Sequence, residues 1–471
     1  MPLAVYLASL SGAVGYWDTG EAQTVPWIFG IMHPTGFPAF TIFGGVFAHV
    51  FAIGAVSWRM ALFSALSASA SAWLVAQIGV ELEGDARIAT ACAWVFAFGE
   101  VTWTRGTRAE VHTLALFFGL LAIASAVRWY RGGNARFLIA GAGAWGLAIA
   151  THPIAALLMP AFLVLFLVRL RRTALRSVAL AVLALACGLA LYAYLPARSA
   201  IVTAQRLDPT LSLALAPGGS FWDTNHPSSW NGFVREVSGE QFPTQSALAS
   251  MIDPAVYQTQ APYFFLLLLH EITPLCALAA LGGLVALTRR DAWLTLGLFF
   301  AFAFPAAFAF AYSIEADRPR YYLLSFAVSL VFASCGASAV AHALPVLRRT
   351  AAVLVAAMAV VLLLLNRAAF AQPHAAGAQA TIATVVEKTP RNAVLIAPWL
   401  FATPLAYAAY VDRDLGARIV VAAWLADDAK HVPRWTRTRP VYVVGRLFGK
   451  VPGYRTMRIP GSPDLWKVVK K

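Results

Sequence analysis

Two carboxylates, Asp18 and Glu21, lie three residues apart just after an apolar segment that begins at Leu3. Because an ionised group at a membrane boundary is costly to keep, such a pair marks a candidate functional site. A carboxylate placed there suits general-base chemistry, in which it takes a proton from an acceptor hydroxyl. His33 follows in the stretch His33-Pro34-Thr35-Gly36-Phe37-Pro38, so chemistry is expected first in this part of the chain.

Further charged residues flank later apolar segments. Glu110 and His112 form a second acid site, and His152 stands directly before a proline. Arg198 and Arg320 sit at the ends of apolar segments, where they either anchor a helix end by snorkelling or hold a leaving phosphate. A carboxylate and a cation at one membrane face are what an enzyme with a lipid-linked donor needs.

Each of these features also has a structural interpretation. Asp18 and Glu21 match a capping box, with Asp18 as N-cap of an interfacial helix. The stretch Arg108-Ala109-Glu110 matches an ion pair at the membrane surface. His33 and His152 occupy boundary positions where a hydrogen-bonded histidine is commoner than a metal ligand.

The composition sets the class of protein. Of 471 residues, 60% are hydrophobic and 12% are charged, whereas about a quarter of the residues in a soluble protein are charged. Mean hydropathy is +0.68, and long apolar runs recur from Leu3 to Leu365. These features exclude a string of soluble domains and predict an α-helical polytopic membrane protein.

The formal net charge of +14 does not indicate nucleic-acid binding. From Arg367 to Lys471 there are 16 Lys and Arg against 6 Asp and Glu, so +10 of the excess lies in this polar tail. Most of the rest lies in short loops between apolar runs, where positive charge marks the cytoplasmic side. A basic tail beside a membrane is expected to meet anionic lipid head groups.

A membrane span needs roughly 20 apolar residues, and shorter ones are tolerated. No cleavable signal peptide is expected before the first span. Eleven spans are predicted, at about 3–17, 60–79, 88–104, 113–129, 136–151, 154–168, 177–195, 262–287, 292–312, 321–344 and 350–366. The stretch 37–56 is interrupted by prolines and glycines, which favours a broken interfacial helix over a straight span.

Arginine-rich loops then fix the orientation. With these loops in the cytoplasm, the N-terminus is cytoplasmic, and 18–58 and 197–261 form outer loops. The non-cytoplasmic polar residues come from at least six loops or helix ends, and they are Asp18, Glu21, His33, Arg59, Arg105, Arg108, Glu110, His112, His152, Arg198, Trp222, Asp223, His226, Glu240, Glu315, Asp317, Arg318 and Arg320.

The tail is expected to form a separate domain. Short β-branched runs at Ala393–Ala397, Arg418–Ala423 and Val441–Gly445 alternate with helical stretches, which predicts a small extracytoplasmic α/β domain over 367–471. The membrane domain is then 1–366. Nothing in the tail looks catalytic, and it has no Gly-rich phosphate loop.

Taken in order, these segments resemble the membrane-protein family catalogued as DUF2723, whose members are protein O-mannosyltransferase-like proteins of the GT-C superfamily. Asp18-Thr19-Gly20-Glu21 is similar to the family's Asp-Ser-Gly-Glu, and His33–Pro38 to its His-Pro-Pro-Gly-Tyr-Pro. The remaining similar segments are Trp58–Leu66 around Arg59, Ala109–His112, Gly146–Pro153 ending at His152, Tyr194–Ser199 around Arg198, and Phe221–Phe242 with Trp222 and Asp223.

Three segments depart from the family pattern. His112 stands in place of a tyrosine, and Trp222–Pro227 is longer than the usual turn. Glu315–Tyr322 is rich in arginine where the family tends to have an acid followed by two aromatic residues. These departures concern donor and acceptor details more than the fold.

The resemblance implies an inverting glycosyltransferase that moves mannose or a similar hexose from a polyprenyl-phosphate donor to a hydroxyl on the extracytoplasmic face. It implies catalytic roles for Asp18 as base and for Glu21, which would orient Asp18 or the acceptor. The implied substrate-binding residues are His33, Arg59, Glu110, His112, His152, Arg198, Trp222, Asp223 and Arg320. Arg198, and less directly Arg59 or Arg320, would neutralise the lipid phosphate.

Partners and alternatives follow from the same likeness. The acceptor is a protein, a cell-envelope glycan or a lipid, and no nucleic acid is expected. No metal or other cofactor is required, although a divalent metal is compatible with the chemistry; the spacing of Asp18, Glu21 and His33 is no known metal motif. A bacterial cytoplasmic membrane is the expected location. The rival functions are a lipid or glycan transporter or flippase, and a catalytically silent scaffold with the same fold.

Overall fold

The fold is taken from a computed structural model of the chain. It describes residues 1–471 apart from 243, 371–373, 424–429 and 446–450, and it leaves out the side chains of 244–245, 368–370 and 374–376. Helices dominate up to Lys388, and all strands lie beyond it.

Eleven helices make up the first part of the chain. They are α1 (Pro2–Ala8), α2 (Trp17–Ile28), α3 (Pro38–Val50), α4 (Val56–Glu81), α5 (Ala86–Phe98), α6 (Glu100–Gly106), α7 (Val111–Gly132), α8 (Ala135–Thr151), α9 (Met159–Arg169), α10 (Leu175–Leu189) and α11 (Tyr194–Ala204).

The second part adds eleven more helices among the described residues. They are α12 (Trp230–Ser238), α13 (Thr244–Ser250), α14 (Pro254–Ile272), α15 (Pro274–Arg290), α16 (Ala292–Ala311), α17 (Arg318–Tyr321), α18 (Leu323–Ala343), α19 (Arg348–Phe370), α20 (His374–Lys388), α21 (Trp399–Tyr410) and α22 (Val432–Trp435).

The chain is an integral membrane protein. Seven described helical segments are long and apolar enough to cross a membrane, namely Val56–Glu81, Val111–Gly132, Pro153–Arg172, Leu175–Ala204, Ala292–Ala311, Glu315–Ala343 and Pro345–Arg367. An eighth is a pair, α14 and α15, bent by 104°. Three shorter apolar helices are α3, α5 and α8.

The predicted count of eleven spans is not reached by these criteria. The segment 3–17, expected as a span, contains only the seven-residue α1. Ser9, Ser11, Gly12 and Gly15 follow it, and such residues favour a break over a continuing helix. The stretch 37–56 does form a broken element, since α3 ends at Val50 and α4 begins at Val56.

The tail carries a five-stranded sheet in the order β2-β1-β3-β5-β4. Its strands are β1 (Val394–Ala397), β2 (Ile419–Ala422), β3 (Val441–Val444), β4 (Tyr454–Arg458) and β5 (Leu465–Lys470). The first three are parallel, with Val394 opposite both Ile419 and Val441, and β5 runs antiparallel to β3 and β4. The three β-branched runs therefore form strands as predicted, whereas β4 and β5 were not expected.

Helix α21 packs directly on α2. A Cβ on Gly20 would lie 2.5 Å from the carbonyl oxygen of Gly15 and 3.0 Å from the side chain of Thr403, so a larger residue would force this region to shift. The backbone N–H of Ser57 donates to the hydroxyl of Tyr407 at 3.0 Å. The tail is thus attached to the first charged helix of the chain.

Candidate active site

Helix α2 positions the acid pair. Its N-cap is Tyr16, without a side-chain capping bond, so the capping-box interpretation of Asp18 is wrong. Asp18 instead lies in the first turn, where the helix dipole favours a negative charge. Glu21, one turn later, points inward and is fully buried.

Asp18 has a partner on each carboxylate oxygen. Arg320 Nη1 donates to Oδ2 at 2.9 Å, and Trp399 Nε1 donates to Oδ1 at 3.2 Å. Arg320 also pairs with Asp317 at 2.5 Å. The side chain of Asp18 remains 36% exposed, whereas that of Arg320 is 9% exposed. A third molecule can therefore still reach the Asp18 carboxylate.

The electrostatics keep Asp18 ionised. Burial raises the pKa of this carboxyl, but the charges of His33 and Arg320 outweigh it, together with the hydrogen bonds from Arg320 and Trp399. The net effect places the pKa of Asp18 below its usual range. Asp18 is thus a carboxylate at neutral pH, as a proton acceptor must be.

Glu21 holds the segment that follows α2. The backbone N–H of His33 donates to Glu21 Oε1 at 2.6 Å, and His33 Nδ1 contacts Oε2. Burial raises the pKa of Glu21, and His33 offsets only part of this rise. Burial lowers the pKa of His33, but Glu21 and Asp18 outweigh it and bring the pKa to about 9. His33 therefore carries a positive charge near Asp18, and Glu21 positions that charge.

Glu110 forms a second cluster at the start of α7. It accepts from Arg105 Nη1 at 2.9 Å and from His112 Nδ1 at 2.7 Å. The structural alternative, an ion pair between Arg108 and Glu110, is wrong, because Arg105 pairs with Glu110 instead. Burial raises the pKa of Glu110, but Arg105 and His112 outweigh it and hold the pKa well below its usual range. The side chain is only 6% exposed.

Aromatic rings join the two clusters. The rings of His112 and His152 lie 4.4 Å apart, and His152 stacks on Phe37 at 5.3 Å. Phe37 in turn contacts His33, with the ring centroids 5.1 Å apart. Tyr321 lies 5.3 Å from His112. The structure therefore brings these predicted residues into one continuous group: Asp18, Glu21, His33, Glu110, His112, His152 and Arg320.

A narrow apolar slot opens beneath this group. Arg320, His112 and Tyr321 line its polar end, and side chains such as Leu158 and Leu324 line its walls. Arg320 Nε and His112 Nε2 are buried and have no hydrogen-bond partner among the described residues. The slot has a volume of about 40 Å³, so these two polar atoms suit a small polar group such as one oxygen of a phosphate or a sugar hydroxyl.

Two predicted arginines are engaged elsewhere. Arg59 donates to the carbonyls of Ala48 and Gly54 at 2.8 Å and fixes the turn between α3 and α4. Arg198 donates to the carbonyl of Ile28 at 3.0 Å, at the end of α2. Both cations therefore support the backbone around α2 and α3. Arg320 is the arginine that the structure pairs with Asp18.

Trp222 and Asp223 belong to a neighbouring polar group. Arg198 lies over the ring of Trp222 at 6.0 Å, and Asp223 Oδ2 contacts His226 Nδ1 at 2.8 Å. Buried Glu236 lies close to Gly36 and accepts from Asn225 at 2.8 Å. Burial raises the pKa of Asp223 and of Glu236. This group supports the His33–Pro38 segment through the contact of Glu236 with Gly36.

Sequence reasoning missed the contributions of Trp399, Tyr321 and Glu236. Trp399 is 381 residues from Asp18 and lies in the tail that was expected to carry nothing catalytic. Its local sequence contains no signal for this contact. Arg105 was recognised as one of the polar residues on this side, but not as the partner of Glu110.

The described residues hold one group of side chains with metal-ligand spacing: Glu100, His270 and Glu271. Both oxygens of Glu271 already accept from the backbone N–H of Val101, at 3.0 and 3.2 Å. This group lies outside the Asp18 cluster, where Glu21 and His33 bind each other. The structure therefore adds no metal motif to the site.

Comparisons with known proteins agree with the motifs. Residues 18–175 match the family model of the protein O-mannosyl-transferase TMEM260 N-terminal domain. Protein O-mannosyl-transferase TMEM260 of Mus musculus is 27% identical over 354 residues, covering 71% of this chain and 48% of the mouse protein. The tmem260 protein of Dictyostelium discoideum is 24% identical over 128 residues, covering 27% of this chain and 16% of that protein. The chain thus spans half or less of the length of these relatives.

A solved structure shows the same fold. The chain is similar to ArnT from Cupriavidus metallidurans bound to undecaprenyl phosphate, with a TM-score of 0.62 and 14% identity. The likeness covers 99% of this chain and 96% of that chain. The predicted fold, a GT-C-like helical membrane protein with a small C-terminal α/β region, is therefore confirmed.

Proposed function

We propose that this chain is an inverting glycosyltransferase of the membrane, which moves a hexose from a polyprenyl-phosphate donor to an acceptor hydroxyl. One observation carries the proposal: the Asp18 carboxylate pairs with Arg320 at 2.9 Å, and Arg320 lines the end of an apolar slot. A proton acceptor and a cation suited to a phosphate thus lie side by side at the edge of the membrane domain.

Asp18 is the proposed base. Its exposed carboxylate accepts a hydrogen bond from the acceptor hydroxyl and takes the proton as the oxygen attacks the anomeric carbon. The bond between this carbon and the phosphate oxygen breaks, and its electron pair leaves with the lipid phosphate. Attack from the face opposite the phosphate inverts the configuration at the anomeric carbon.

Arg320 is the proposed phosphate clamp. Its Nε has no partner among the residues that the structure describes, and its Nη atoms bridge Asp18 and Asp317. A guanidinium suits a phosphate because its N–H groups match the spacing of two oxygens. A cation that is already in place stabilises the charge that develops on the leaving phosphate. No metal is required for this role, and a divalent metal remains compatible with it.

Glu110 and His112 are proposed to shape the sugar subsite. Because His112 Nδ1 donates to Glu110, a neutral ring leaves the unpaired Nε2 as an acceptor toward the slot. A sugar hydroxyl is a suitable donor to it. We assign His33 and His152 to the supports of this subsite, and Trp222 and Asp223 to the neighbouring group that holds the His33–Pro38 segment.

The relatives support the choice of substrates. The mouse and Dictyostelium relatives are named protein O-mannosyl-transferases, which favours mannose and a protein hydroxyl. A glycan or lipid acceptor is the alternative. ArnT was solved with undecaprenyl phosphate, which supports a polyprenyl carrier.

The proposed topology follows the arginine-rich turns. These turns face the cytoplasm, so the Asp18 end and the α/β domain at 367–471 lie on the extracytoplasmic face. Residues 1–366 form the membrane domain. A bacterial cytoplasmic membrane is the proposed location.

The test is the release of free polyprenyl phosphate from polyprenyl-phosphate mannose by the purified, reconstituted chain. A mixed pool of peptide and glycan acceptors is supplied. We expect turnover in the wild type and a loss of about 10²–10⁴-fold in Asp18→Asn, the range for a general base. Arg320→Gln is expected to lose turnover as well, whereas Arg59→Gln keeps most of it.

Different outcomes separate the alternatives. Equal turnover in Asp18→Asn would remove Asp18 as the base while keeping the enzyme. Donor movement across the vesicle membrane without cleavage would indicate a flippase. No turnover with any sugar or acceptor would favour a silent scaffold.

A further inference from the structure

The end of the membrane domain opposite Asp18 carries two kinds of arginine. Helix α7 begins beside Glu110 and ends at Gly132, and its 22 residues span about 33 Å. At this far end, Glu81 pairs with Arg128 at 2.8 Å, and Glu83 contacts Arg131 and Arg290. Glu81 and Glu83 are thus already matched by cations.

A second set of arginines has no such partner. Arg136, Arg171, Arg172 and Arg176 are exposed, and none of them pairs with an acid of the described part of the chain. They come from the start of α8, the end of α9 and the start of α10. Three helix ends therefore present unneutralised charge at one place.

An apolar groove begins beside these arginines. It is formed by α7, α8, α9 and α10, has a volume of about 330 Å³, and is lined almost entirely by apolar atoms. On α10 its wall runs from Val178 to Leu185, a length of about 10 Å. Aromatic side chains, among them Trp129, Phe137 and Phe166, line its basic end.

The groove and the cations share the same helix ends. Phe137 and Val178, which line the groove, lie in the first turns of α8 and α10, and Arg136 and Arg176 lie in the same two turns. Arg128 lies over the ring of Phe137 at 5.7 Å. Arg169 donates to the carbonyl of Arg131 at 2.9 Å and thereby holds the ends of α9 and α7 together. A single amphipathic ligand can occupy both parts.

We propose that this groove is a binding site for an anionic glycerophospholipid. One acyl chain lies in the groove, and the phosphate rests on Arg171, Arg172 and Arg176, with Arg136 at its edge. The site is independent of the proposed transfer reaction and lies at the opposite end of the membrane domain from it.

Charge complementarity selects this occupant. Arginines that only fix topology need no cavity, yet here unpaired arginines of three helix ends adjoin an apolar groove. A neutral lipid would fill the groove but leave the four guanidinium groups unmatched. An anionic lipid satisfies both the apolar walls and the cations.

The test is native mass spectrometry of the full chain in detergent, with phosphatidylglycerol as the probe and phosphatidylcholine as the neutral comparison. We expect one phosphatidylglycerol to be retained in preference to phosphatidylcholine. Each arginine at an anionic lipid contributes roughly fivefold, so Arg171→Gln with Arg172→Gln should weaken retention by about 25-fold. The matched control, Arg289→Gln with Arg349→Gln, removes two exposed arginines away from the groove and should change it less than twofold.

A second pair of variants tests the groove itself. Val182→Trp fills it from a wall position that is 61% exposed, whereas Leu183→Trp places the same ring at a neighbouring position that is 59% exposed and outside the groove. Only the first should lose the lipid. The proposal would be overturned if lipid retention fell equally in the two arginine double variants, or equally in Val182→Trp and Leu183→Trp. Retention of phosphatidylglycerol without preference over phosphatidylcholine would also overturn it. Displacement of phosphatidylglycerol by polyprenyl phosphate would overturn it too, since the groove would then belong to the donor.

Discussion

The carboxylates of Asp18 and Glu110 have the same kinds of hydrogen-bond partner but differ in solvent exposure. Each carboxylate accepts from an arginine at 2.9 Å and from an aromatic ring nitrogen, Trp399 for Asp18 and His112 for Glu110. Both have a pKa below the usual range. Asp18 is 36% exposed, whereas Glu110 is 6% exposed and also accepts from the backbone N–H of His112.

The difference separates a reactive acid from a structural one. A carboxylate that remains accessible can accept a proton from an incoming hydroxyl, whereas a closed one can only hold its neighbours. The difference in solvent exposure, more than charge or pKa, is the reason that we propose Asp18 as the base and Glu110 as a residue that holds its neighbours in place. The predictions below test this division.

The largest effect is expected for Glu110→Gln. It leaves the nearly buried Arg105 without its carboxylate, and breaking a buried pair costs about 3–5 kcal/mol of the free energy of unfolding. Asp18→Asn is the matched control. It should cost about 1 kcal/mol or less, because the pair is partly exposed and Arg320 keeps Asp317. Thermal unfolding of the purified proteins measures both, and equal losses would remove the distinction.

A smaller effect is expected from alkaline pH. The pKa of His33 in the folded protein is about 9, above the usual value of about 6.5. The stability that His33 contributes is therefore complete below about pH 6.5 and is lost as pH rises through about 9. Unfolding midpoints between pH 6 and 10 report this loss. In His33→Gln the alkaline decrease should be smaller than in the wild type.

Trp399→Phe should lower turnover by about tenfold. The variant keeps the ring that stacks on Phe221 but removes the N–H that donates to Asp18, and such a bond to a charged group is worth about 1.5–3 kcal/mol. Trp466→Phe, in β5, is the control. A loss of turnover in both variants would indicate a general effect of the sheet domain.

The smallest effect is expected from mild acid. Because the pKa of Asp18 lies below its usual value of about 3.9, the carboxylate stays ionised and turnover should be flat from pH 7 down to about 5. In Trp399→Phe the acid decrease should begin at a higher pH, since a bond that lowers the pKa is gone. An inflection near pH 6 in the wild type would assign the base to another group.

Local patterns in the sequence predicted most apolar helices and three strands. Periodicity and composition suffice where an element is apolar or β-branched throughout. Strand β4 was missed because Tyr454–Arg458 is mostly exposed and has no apolar run. The segment 3–17 was predicted as a span although α1 ends at Ala8, because hydropathy does not register that the small residues after Ala8 favour a break in the helix.

Local sequence patterns could not predict which residues of the site pair with each other. Glu110 pairs with Arg105, and not with Arg108, which is nearer in the sequence. The reason is that α6 ends at Gly106 and the chain turns before α7. Arg320 was predicted as a phosphate ligand, but its pairing with Asp18 depends on how α2 and α17 meet in space. Contacts of this kind follow from tertiary packing.

The contact between Trp399 and Asp18 also bears on the order of biosynthesis. A ribosome makes Trp399 381 residues after Asp18. At about 5–20 residues per second, this delay is roughly 20–80 s. During that time Asp18 lacks its hydrogen bond from Trp399, while the nascent chain is already beside a membrane that contains lipid-linked sugars. Full transferase activity of this chain should therefore be reached only after Trp399 has been translated and has packed against Asp18.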